Sequence, residues 1–80
     1  MHYVVAEEIW SLPDGNREAE LIREAGAITG GDRDSAIESA KKLASKFDHH
    51  GLERNAPHPY WWGRNDGASE SHRFVIRPAN

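Results

Sequence analysis

Histidine is the first residue type in this chain that could do chemistry. Of five in 80 residues, four lie in the second half, at His49, His50, His58 and His72, and imidazole is both a metal ligand and a proton carrier near neutral pH. A metal site needs ligands that converge, and neither His-x-x-x-His nor His-Glu-x-x-His spacing occurs here to set two of them on one helical face. His49 and His50 are expected instead in the last turn of a helix before Gly51, where a partial positive charge suits the helix dipole. Gly30-Gly31 ahead of a helix invites comparison with a phosphate cradle. Asp32 and Asp34 stand where the anion would lie, however, and no Gly-Lys-Ser/Thr follows, so ordinary capping is expected. Ser71-His72 is the only serine–histidine neighbour pair, and adjacent strand residues point to opposite faces. No nucleophile elbow surrounds any serine. Glu7 and Glu8 alternate faces in the same way, one toward the sheet interior and the other toward solvent. With no cysteine there is neither a thiolate nucleophile nor a thiolate metal ligand. Neither catalysis, metal nor cofactor is expected.

The remaining chemistry is aromatic and cationic. Pro59-Tyr60-Trp61-Trp62-Gly63-Arg64 is answered by His72-Arg73-Phe74-Val75-Ile76-Arg77 across a polar loop containing Asn65-Asp66-Gly67, the pattern of a β-hairpin. Directly opposed residues of an antiparallel pair share a face, so the apolar sets should match. Pairing Trp62 with Phe74 and Tyr60 with Ile76 gathers four apolar side chains on one side. Trp61, Val75, Arg73 and Arg77 then fall on the other. On that reading Trp61, Arg73 and Arg77 are the candidate binding residues. An exposed Trp among arginines suits a protein contact or self-association. The same trio could stack an unpaired base and meet phosphate, and it could also be a cation–π cluster with no partner.

These residues need elements to position them. Residues 3–12 mix β-branched and aromatic side chains and read as a strand, stopped by the turn chemistry of Pro13-Asp14-Gly15-Asn16. Residues 17–28 are ambiguous. Their composition favours a short helix ending near Gly26, while a tight turn after a strand favours its antiparallel neighbour, and the strand is preferred. A helix is expected over roughly 34–48. Ala36, Ile37, Ala40, Leu43, Ala44 and Phe47 form its apolar stripe, Ser35 and Glu38 have capping-box spacing, and Lys41, Lys42 and Lys46 lie on the solvent side. Residues 52–58 read as a loop kept extended by Pro57 and Pro59. The expected fold is a small single-domain α+β structure, β-β-α-β-β, with one antiparallel sheet packed on one amphipathic helix. Its expected core is Val5, Ile9, Ile37, Ala40, Leu43, Ala44, Phe47, Tyr60, Trp62, Phe74 and Ile76.

Length and charge bound the function. A chain of 80 residues holds a single core. No apolar run approaches the roughly 20 residues of a membrane span, and no signal-peptide pattern is seen, so a cytoplasmic protein without a membrane partner is expected. Net charge is −3. Residues 1–34 hold eight acids against three arginines, and residues 35–80 five acids against seven bases. That balance disfavours nucleic acid as the partner. The expectation is therefore a non-enzymatic binding or assembly module that meets a protein, or a second copy of itself, through an uncovered sheet face.

Overall fold

In a computed structural model, residues 2–55 and 59–79 are described. Strand β1 (Tyr3–Ser11) is followed by β2 (Leu21–Gly31), helix α1 (Arg33–Ala44), β3 (His49–Glu53), β4 (Tyr60–Arg64) and β5 (Glu70–Pro78). All five strands join one antiparallel sheet in the order β2-β1-β5-β4-β3. The α+β class, with its single sheet and single helix, is as expected. Among the described residues no helix is long and apolar enough to cross a membrane.

Each element has a local cause. The turn after β1 closes with reciprocal backbone bonds between Asp14 and Arg17, at 3.1 and 2.9 Å. Gly15 stands at φ 58°, the conformation a two-residue hairpin asks of its first central residue. The chain then returns along β1, so residues 21–31 form a strand despite their helix-forming composition: a nine-residue helix gains little by itself, whereas a strand joins an existing ladder. Three register shifts interrupt that ladder.

Asp32, not Ser35, caps α1, and its side chain accepts a 2.8 Å bond from the Ser35 backbone N–H. Ala36, Ala40 and Ala44 are fully buried. A stripe of such small residues lets the helix axis ride close to the sheet, and a Cβ on Gly30 would come within 2.7 Å of Ala36 Cβ. Val5 and Phe74 meet these alanines, and Tyr3, Leu43, Phe47, Trp61 and Ile76 pack around them.

Two expectations need correction. The helix stops at Ala44 and not near residue 48. Ser45 ends it with its hydroxyl on the Lys42 carbonyl at 2.8 Å, and Phe47 is then turned down over Gly63, whose absent Cβ would overlap the ring. His49 and His50 therefore begin a strand, where a helix end and loop were expected; Gly51 is a strand residue under the Trp62 ring.

The second correction is the register of the last hairpin. Trp61 pairs with Phe74, Tyr60 with Val75 and Trp62 with Arg73, one residue away from the expected match. The helix explains it. Phe47 needs a side-chain-free position beneath it, and this register puts Gly63 on the helix side together with Trp61 and Phe74, which the expected one does not. Tyr60 and Trp62 leave the expected core for the opposite face, and Trp61 takes their place.

Candidate functional site

The sheet face opposite α1 is covered by no described element. Alternation along each strand places Glu8 and Trp10 from β1, Ser71, Arg73, Val75 and Arg77 from β5, Tyr60, Trp62 and Arg64 from β4, and Glu53 from β3 on it. Arg73 is the centre. Its guanidinium carbon lies 3.7 Å from the Trp10 ring centroid and 4.6 Å from that of Tyr60, so a cation is held between two aromatic faces. Among the described residues no carboxylate pairs with it. Beside it opens a shallow groove of about 470 Å³, with Trp62 and Tyr60 as apolar walls and Arg64 and Glu53 at its rim.

Arg77 has a different task. It pairs with both Glu8 and Glu24, the latter at 3.2 Å. Glu8 is only 8% exposed and also accepts the Trp10 indole N–H at 3.0 Å. The Arg77–Glu8–Trp10 chain thus fixes the indole on which Arg73 stacks. Of the three residues expected to bind, Arg73 stands in the site, Arg77 braces it from the edge, and Trp61 lies on the other side of the sheet. Trp10, Tyr60 and Trp62 join Arg73 instead. Trp10 had a signal in the sequence: with Val5 and Ile9 in the core, its opposite parity on the same strand sends it outward. Nothing comparable marked Trp62.

Across the described strands this face carries Arg64, Arg73 and Arg77 against Glu8, Glu24 and Glu53. It has no net charge to attract a polyanion, and one arginine is already neutralised by carboxylates. The nucleic-acid reading thus keeps only Arg73 of its three residues.

The histidines are used singly. His72 Nδ1 lies 2.6 Å from Glu7 Oε2 on the helix side, its ring centroid 4.7 Å from that of Phe47. His49 pairs with Asp66, part of a clasp in which the Asp48 N–H donates to Asn65 and the Asp66 N–H to Asp48. His50 is exposed. His58, also considered as a ligand, lies outside the described residues, as does Pro57. Among the described residues no three potential metal ligands come together. Glu7 and Glu8 do face opposite sides, but both have partners, so neither is the freely solvated carboxylate expected. No family model matches the chain, and neither does any curated protein or solved structure.

Proposed function

We propose that this protein is a non-enzymatic binding module whose open sheet face docks another protein through Arg73. The observation that carries this reading is the Arg73 guanidinium clamped between Trp10 and Tyr60 with no acidic partner among the described residues. Stacking engages the faces of the cation and not its edge N–H donors, the groups that receive a carboxylate in two-pronged fashion. Trp62 beside it offers a rigid apolar surface, and Trp, Tyr and Arg are the residue types that dominate binding energy at protein contacts. The chemistry recognised is therefore an acidic side chain next to an apolar one. The balanced charge of the face favours a protein over a nucleic acid.

A photo-crosslinking residue at Ser71, which lines the groove, tests this in the cells that make the protein. The same residue at Glu38, on the exposed side of α1, serves as control. The expected result is a discrete protein adduct from position 71 alone, reduced at least about tenfold by Arg73→Ala, as loss of a central arginine contact implies. Equal adducts from both positions, or adducts made of nucleic acid, would sink the proposal.

A further inference from the structure

Strand β2 forms one border of the sheet, and its outer backbone groups have no neighbour in the described fold. Residues 21–29 are all exposed. Among the described residues the large apolar side chains that stand about half open, Leu21 at 47%, Ile22 at 48% and Ile28 at 50%, all lie on this one strand. An exposed edge of that kind is a template for pairing with another chain, unless charge or irregularity blunts it. The first half of β2 is blunted. Arg23 and Glu24 sit there, and the register against β1 shifts on either side of them. The second half carries no charge to blunt it: Gly26, at φ 145°, to Thr29 pairs with β1 without a break between two register shifts, and from Ala25 to Gly31 there is no charge and no proline.

We infer that two copies of the chain join antiparallel through this second half of β2, about a two-fold axis at Ala27, doubling the five-stranded sheet. The shape of the edge is complementary to itself. Gly26 and Ile28 share the helix side, and an added Cβ at Gly26 would meet nothing within 4 Å. Beside it lies a crevice of about 240 Å³ bordered by Val5, Gly26, Ile28, Leu43 and Phe74, with Glu7 at its margin. An axis through Ala27 sets Gly26 opposite Ile28 of the second copy. Each isoleucine then fills the space left by the other glycine. No charge falls within the paired segment, since Arg23 and Glu24 lie beyond the irregularity at Ala25. An isologous contact of this sort closes on itself and does not propagate.

An axis perpendicular to the sheet keeps both open faces on the same side. The dimer would therefore present two Arg73 sites together, an arrangement in which a partner with two acidic motifs gains avidity. The interface itself does not depend on what those faces bind.

Sedimentation velocity over a wide concentration range tests the inference. The full chain is expected to approach twice its monomer mass. Ala27→Lys and Ala27→Glu, each placing like charges face to face at the axis, are expected to remain monomeric with cooperative melts intact. Mixed in equal amounts, the two variants should form a heterodimer, because opposite charges now meet. Ile28→Ser provides a milder variant, expected to weaken association at least about tenfold. A monomer at every concentration would overturn the inference. So would a dimer indifferent to Ala27→Lys, or failure of the two charged variants to pair. Crosslinking at Ser71 reads the open face separately, so the failure of either proposal is distinguishable from that of the other.

Discussion

At the scale of single residues, the two arginines of β5 illustrate how one side chain type serves binding and another copy of it serves the fold. Arg73 is stacked but unpaired by any described carboxylate; Arg77 neutralises a carboxylate that is nearly buried. Removing Arg73 leaves two aromatic rings that can relax into its space. Removing Arg77 leaves Glu8, 8% exposed, with only the Trp10 N–H and the β-sheet around it. An under-satisfied buried charge of that kind costs about 1–3 kcal/mol. Arg77→Ala is therefore expected to lower the unfolding free energy read from urea titration by that amount, and Arg73→Ala by clearly less. Glu8→Gln in the Arg77→Ala background should recover part of the loss, since a neutral amide needs no counter-charge. Equal destabilisation by the two arginine variants would contradict this division of roles.

At the scale of elements, β1, its turn and the buried stripe of α1 follow from residue pattern, because each is a local rule. The Pro13-Asp14-Gly15-Asn16 turn also decided correctly for a strand at β2, against nine residues of helix formers. What the pattern does not contain is β3. His49-His50-Gly51-Leu52-Glu53 has one large apolar residue, and it is a strand because β4 supplies its hydrogen bonds and Trp62 lies over Gly51. The register of β4 on β5 was equally non-local: matching apolar residues across the hairpin selects one pairing, and the need to seat Phe47 over Gly63 selects the other. This is why Trp61, read as part of the site, belongs with the core. Helix capping is local again, and it carries a pH dependence. The Ser35 backbone N–H, reinforced by the Ser35 hydroxyl, holds the Asp32 carboxyl below its ordinary value of 3.8. Folding thus favours the ionised form. The stabilisation is complete above the ordinary value and is lost as pH falls through the lowered one. Thermal melts of Asp32→Ala are expected to lie below wild type near neutral pH and to converge with it in strong acid. Asp32→Asn keeps a neutral cap, so its offset from Asp32→Ala should not change with pH; a gap between wild type and Asp32→Ala that persists unchanged through the acid range would contradict the assignment.

At the scale of the whole molecule, the first and last strands are neighbours at the centre of the sheet, while the strands between them fill its flanks. Tyr3 pairs with Pro78, and the ladder runs the full length of β1 to Ser11 opposite Glu70. The Ala79 N–H closes it on the His2 carbonyl at 2.8 Å. This longest-range pairing is also the one that brings Val5 against Ile76 and beside Phe74, so the core cannot form until the two ends of the chain have met. Loop-closure entropy for such contacts must be met before they stabilise anything, and folding is correspondingly slow for topologies of this kind. A circular permutant separates cause from consequence. Joining the ends with a short glycine linker and opening the chain between Gly67 and Ala68, in the exposed loop of the last hairpin, makes β5 and β1 adjacent in sequence. The pairing made distant instead is the shorter β4–β5 ladder, and Asn65 and Asp66 keep their bonds to the start of β3. Stopped-flow refolding of the permutant is expected to be faster than that of the parent chain, with an unfolding rate altered far less, because the native contacts are almost the same set. A permutant that refolds at the parent rate would show that closing β1 on β5 is not the slow event, and would move the barrier to the seating of α1 on the assembled sheet.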